Sequence, residues 1–81
     1  MTSPRFEVFV DGDQVSMRRA IEGNPHRNTA VGTVIGGGHT ANEGNPYVTV
    51  NWPGAEGGTD TYHPDRLVRV ARDRNGIPRA I

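Results

Sequence analysis

Between residues 31 and 70 the chain repeatedly alternates apolar and polar residues over runs too short for a helix. Glycine, proline and asparagine separate those runs, and together the two features commit the chain to a β-sheet. Tyr47-Val-Thr-Val-Asn-Trp52 is the clearest run: Val48, Val50 and Trp52 fall on one face and Tyr47, Thr49 and Asn51 on the other, as expected where one side is core and the other wet. Before it stands Val31-Gly-Thr-Val-Ile35, where Gly32 implies a bend or a close backbone approach. After it, Pro53 to Gly58 forms a turn and Thr59 to Tyr62 returns. His63-Pro-Asp-Arg66 then makes a short turn in which Pro64 can donate no ladder bond, and Leu67 to Val70 completes the sheet.

The flanks read less sharply. Phe6 to Val10 and Gln14 to Arg18 alternate in part around Asp11-Gly-Asp13, where Gly12 can take the positive φ of a tight turn, so a hairpin is expected there. On that reading Arg18 and Arg19 straddle a strand and face opposite ways. Residues 22–30 hold Gly, Pro and two Asn without apolar periodicity and read as an exposed loop. Gly36-Gly-Gly38 and Glu43-Gly-Asn-Pro46 punctuate a second loop, expected to be mobile. Its glycines do not form a phosphate cradle, because such a loop delivers its amides to a helix N-terminus and here another strand follows. Arg18 to Glu22 is the only stretch with tolerable helix formers, and it runs into Gly23-Asn-Pro25. The tail, 71–81, carries an Asn75-Gly76 turn signal between polar flanks, which fits either a last hairpin or, as its polarity favours, partial disorder.

The expected fold is therefore all-β, with five to six short antiparallel strands over residues 1–70 and an Arg-rich tail over 71–81. Closing the sheet into a small barrel would remove its exposed edges. At 81 residues there is room for one thin core, since a domain of this size buries only roughly 60% of its unfolded surface. No cysteine is present, which removes disulfides and thiolate metal sites as staples. No run reaches the length of a membrane span, and the first residues are too polar for a signal peptide. The expectation is a soluble, cytoplasmic protein without a membrane partner.

Net charge is zero, and all nine basic residues are Arg. The charges are segregated: residues 28–64 hold Glu43, Glu56 and Asp60 with no Arg, whereas residues 65–81 hold five Arg against Asp65 and Asp73. Such asymmetry can steer a partner or favour head-to-tail self-association.

Gly12-Asp13-x-Val15, Gly32-Thr-Val34, Pro46-Tyr-Val-x-Val-x-Trp52, Tyr62 and Leu67-Val-x-Val70 together resemble the small SH3-like barrels, which include KOW-type modules and short bacterial domains of unknown function. The resemblance spans roughly residues 12–70 and rests on turn glycines and core residues, so it implies a fold and leaves activity open. That superfold holds nucleic-acid-binding modules, accessory subunits and phage or plasmid proteins. It also holds one enzyme of similar length, the type II dihydrofolate reductase, whose pore is lined by a Val-Gln-Ile-Tyr run on a late strand. The corresponding run here is Thr59-Asp-Thr-Tyr62, where only Tyr62 matches, Asp60 replaces the important Gln, and no Lys exists to hold substrate and cofactor.

Catalytic and metal chemistry find little footing. His26, His39 and His63 fall in separate loops, and His63-x-Asp65 is the only close pair of potential ligands, so neither a metal nor another cofactor is implied. No Ser or Thr sits on a recognisable nucleophile elbow. Carboxylate catalysis would need a deep cleft, which a chain of this size builds only at an oligomer interface. The reading that remains is a non-catalytic binding or assembly module, docking to a protein partner or to itself. The candidate binding residues are Tyr47, Tyr62, Arg18, Arg66, Arg69, Arg72 and Arg74. Nucleic acid is the alternative partner, through stacking on Tyr47 and Tyr62 and phosphate contacts from the Arg residues, although zero net charge argues against it. An oligomeric enzyme with its site on a symmetry axis is the remaining alternative.

Overall fold

The computed structural model describes residues 9–39, 46–54 and 57–81. Their strands are β1 (Gln14–Met17), β2 (Gly32–His39), β3 (Pro46–Trp52), β4 (Gly58–Tyr62), β5 (Leu67–Arg72) and β6 (Pro78–Ala80), with a five-residue helix α1 (Arg18–Glu22) after β1. A 3-10 turn, Pro64–Arg66, leads into β5. Every pairing is antiparallel, in the order β4-β3-β2-β1-β5-β6, so the protein is all-β.

The alternation read from the sequence decides which side of the sheet is dry. Val34 lies opposite Val50, and Val48 opposite Tyr62. Those valines join Val15 and Leu67 in the core cluster, with Phe9, Met17, Trp52 and Tyr62 packed against it. Among the described residues the opposite face is covered over β1 and β5 only. There Ser16 pairs with Val68, Val70 and Pro78 are buried beside them, and α1 lies against β1, β5 and β6. The inner strands β1 and β5 are thus buried on both sides, whereas β3 and β4 turn one face to solvent.

Several expectations are corrected. The three glycines expected in a mobile loop belong to β2, where Gly36, Gly37 and Gly38 pair with Thr49, Val48 and Tyr47. Ladder bonds come from the backbone, so the strongly patterned β3 recruits a glycine strand that has no side chains of its own to pack. A register shift between Val34 and Gly36 absorbs the irregularity and leaves Ile35 48% exposed. His39 accordingly ends a strand instead of sitting in a loop, and Pro46 starts one. Residues 40–45 of that expected loop lie outside the described residues.

At the first turn Gly12 has φ 95° and the Asp13 N–H bonds the Val10 carbonyl at 3.1 Å, but Phe9 and Val10 are not strand residues, and residues 6–8 lie outside the described set. The turn instead fastens to β2, with Gly12 N–H donating to Val34 O and Val34 N–H to Asp13 O, both at 2.8 Å. Arg18 and Arg19 open α1 and do not straddle a strand. The helix stops where the sequence has Gly23, whose N–H bonds the Arg19 carbonyl at 3.1 Å.

The tail forms the hairpin rather than a disordered end. Gly76 takes φ 79° in its turn, and Val70, Ala71 and Arg72 pair with Ala80, Arg79 and Pro78. Among the described residues the sheet is open and not the closed barrel expected from the sequence. The outer side of β5 is occupied by β6, so among the described residues β4 and β6 remain as two separate edges.

Candidate functional site at the open β4 edge

The residues singled out in the sequence do not converge. Tyr62 and Arg69 lie on the core side of the sheet, since Tyr62 is opposite Val48 and Arg69 opposite Val15, whereas Tyr47 lies on the other side and is 38% exposed. Tyr62 packs edge-to-face on Trp52, with ring centroids 6.0 Å apart and planes at 83°. Arg69 pairs with Asp13 at 3.1 Å and places its guanidinium 5.1 Å from the Phe9 ring centroid. Arg18 donates to the Asp65 carbonyl at 2.8 Å and the Leu67 carbonyl at 3.4 Å, with Glu22 3.7 Å away. Arg72 donates to the carbonyls of Gly76 (2.8 Å) and Arg27 (3.3 Å). These guanidiniums therefore tie loops and strands together. Arg66 and Arg74 are exposed, in the 3-10 turn and the last hairpin turn respectively.

The stacking face expected around Tyr47, Tyr62 and Arg69 is consequently split between two sides of the sheet. The run Thr59 to Tyr62, compared above with an enzyme pore, is instead the sheet's edge strand. His63 caps the 3-10 turn, its Nδ1 accepting the Asp65 N–H at 3.0 Å, so this close pair is joined through the backbone.

A different feature stands out: the two edges differ in kind. The β6 edge is three residues long and begins with Pro78, which has no N–H to offer. The β4 edge is five residues long, contains neither Pro nor a basic residue, and is exposed from Gly58 through Thr61. Its outward groups follow from the register. Val34 spends its N–H and carbonyl on the first turn, so Thr33 bonds toward β3 and its partner Asn51 bonds back. Alternation then makes Val50 bond toward β4, and Asp60 opposite it bonds inward. Thr59 and Thr61 are left with their N–H and carbonyl groups aimed away from the sheet. The 3.3 Å approach of the Thr49 and Thr61 hydroxyls fits, since side chains come closest at non-hydrogen-bonded pairs.

One outward donor is already engaged. Asp60 Oδ1 accepts the Thr61 N–H at 2.9 Å, while Oδ2 accepts the Tyr62 hydroxyl at 3.3 Å. The Tyr62 oxygen in turn accepts Trp52 Nε1–H at 2.9 Å, so a hydrogen-bonded chain runs from the core rim to the edge. Asp60 is the single charged residue of β2, β3 and β4, and every described Arg lies before residue 28 or after residue 64. Among the described residues, β4 thus carries its carboxylate at the end of the sheet away from the Arg-bearing strands β5 and β6.

Asp60 is not among the binding candidates read from the sequence, where it stands only as part of the charge segregation and opposite one enzyme's glutamine. A lone carboxylate between two threonines, in a strand followed by Pro64, was the signal available. Among the described residues no three His, Asp or Glu side chains are arranged to hold a metal ion. Among the described residues two carboxylates are held below their ordinary pKa. Asp13 is lowered by the Val10 N–H and then by Arg69, partly offset by desolvation, and Asp73 is lowered chiefly by the Ile77 N–H and Arg79. Both fasten turns and lie away from β4. The chain matches no protein-family model, no curated protein and no solved structure.

Proposed function

We propose that this protein is a non-catalytic binding module that docks an extended strand of a protein partner along β4. The observation that carries the reading is the asymmetry of the edges: β6 is short and starts with a proline, while β4 presents outward backbone groups at Thr59 and Thr61 over five residues. A strand added to such an edge gains main-chain hydrogen bonds and reads alternate side chains. The flanking outer face suits a protein contact as well. Thr33, Thr49, Asn51, Thr59, Thr61 and Tyr47 share it through the register, and none carries a charge, in keeping with the depletion of charge at interface centres.

The test is a titration of the full chain with a short capped peptide of alternating Thr and Val, followed by backbone amide shifts. Shifts centred on Thr59 and Thr61 are expected, and Thr59→Pro should abolish the Thr61 shift without disturbing the core, because it removes an outward donor and leaves the β3 ladder intact. Shifts elsewhere, or the same Thr61 shift in Thr59→Pro, would rule the reading out. Light scattering coupled to size exclusion, in low and moderate salt, reports whether the chain also pairs with itself.

A further inference from the structure

We infer that the strand accepted at β4 carries a cationic side chain opposite Asp60, and that Asp60 selects for it while discouraging β4 from pairing with a second copy of itself. The inference rests on the strand-docking reading above and adds the chemistry of the occupant.

Two observations combine. Asp60 covers one of the outward donors of β4, because its Oδ1 holds the Thr61 N–H at 2.9 Å. A strand arriving along this edge needs that N–H for its own carbonyl, so the carboxylate must swing away or find a new partner. An Arg or Lys on the incoming strand supplies that partner directly across from Asp60, since opposite charges at facing positions stabilise a strand pair and like charges oppose it. The surroundings add to this preference: β2, β3 and β4 carry no Arg or Lys, so a cationic strand meets no like charge on the strands beside Asp60.

The same geometry bears on self-pairing. Two copies of β4 related by a two-fold axis at Asp60 would set the two carboxylates face to face. An inward-pointing or facing charge of this kind is a common way in which an exposed edge avoids polymerising. A second copy of β4 is therefore a poor occupant, and a cationic strand a good one.

The experiment uses the intact chain and two capped extended peptides of alternating Thr and Val, one with a central Arg and one with a central Glu. At low salt the Arg peptide should bind at least about fivefold more tightly than the Glu peptide, the effect of roughly one kcal/mol at a facing charge pair. That preference should shrink on adding salt and disappear in Asp60→Asn. The swap of peptide charge tests the wild-type protein directly, so the result does not hinge on a variant. If both peptides shift the Thr59 and Thr61 amides with equal affinity, strand docking stands and the charge selection is overturned. If neither peptide shifts those amides, the docking reading itself has failed. A wild-type chain that dimerises through β4, protecting Thr59 and Thr61 amides from exchange, would overturn Asp60 as a barrier to self-pairing.

Discussion

Asp13 and Arg69, 56 residues apart, hold the first turn against β5: Arg69 Nε donates to Asp13 Oδ2 at 3.1 Å, and that oxygen also accepts the Val10 N–H at 2.9 Å. Because the Val10 bond and then Arg69 favour the ionised carboxylate, its folded-state pKa lies below the ordinary value. A lowered folded pKa contributes stability that is present above the unfolded pKa and lost as pH falls through the folded one. The melting temperature should therefore decline as pH drops below about 4. Asp13→Asn retains an oxygen for the Val10 N–H and loses only the charge. It should cost less than about 1 kcal/mol at neutral pH, because the pair is partly exposed. Melting curves from neutral to strongly acidic pH should show the variant and wild type converging at the acidic end. A gap that stays constant with pH would contradict the assignment.

Ser16 is fully buried, and its hydroxyl donates to the Ala30 carbonyl at 2.7 Å, tying the 23–31 connection across β1. Ser16→Ala should cost about 1 kcal/mol, the net worth of a typical hydrogen bond, because the exposed Ala30 can turn to water once released. The looser connection should become more susceptible to limited proteolysis near Arg27. Unchanged cleavage together with an unchanged urea midpoint would show that the bond holds nothing.

Gly32 lies beneath two side chains of β3. An added Cβ would contact Val50 Cγ1, come within 2.8 Å of Trp52 Cε3 and sit 3.1 Å from the Asn51 carbonyl oxygen. Gly32→Ala should destabilise by about 1 to 3 kcal/mol through overpacking, in contrast to Gly36→Ala, where nothing lies within 4 Å of the new methyl. Urea unfolding of the two variants side by side makes the comparison, and equal midpoints would refute the close approach at Gly32.

What could be read in advance divides along physical lines. The alternation in Tyr47 to Trp52 exposed the core face because burial and polarity follow the pleat, and Gly32 announced a close approach because no other residue could stand under Val50. The glycine half of β2 was hidden for the converse reason, since Gly36 to Gly38 have no side chains with which to signal a strand whose pairing depends on β3. The open edge was hidden too. Which strands end up unpaired depends on β5 returning beside β1 and on β6 occupying its other side, and no local pattern encodes that order. The sequence displays the charge of the Arg residues and not the carbonyls that Arg18 and Arg72 satisfy, so these tethering contacts were hidden as well.

The last hairpin is the remaining element with a measurable consequence. Asp73 takes the N–H groups of Asn75 at 2.8 Å and Ile77 at 3.0 Å on Oδ1 and Arg79 on Oδ2 at 3.1 Å, which sets the turn that brings Pro78 back over β5. Pro78 is fully buried and Val70 is 3% exposed, so the hairpin closes the second face of the sheet rather than trailing from it. Ending the chain after Val70 should uncover Val68 and Val70 and cost on the order of 3 kcal/mol from lost apolar burial. Asp73→Ala should lower the urea midpoint in the same direction by less, because the strands can still pair when the turn is loosened. Hydrogen exchange at the Arg69 and Val70 amides, which both variants retain, separates this from a tail that merely rests on the domain. Their protection should fall in both variants, and a truncated chain with unchanged protection and midpoint would show that β6 adds nothing to the fold.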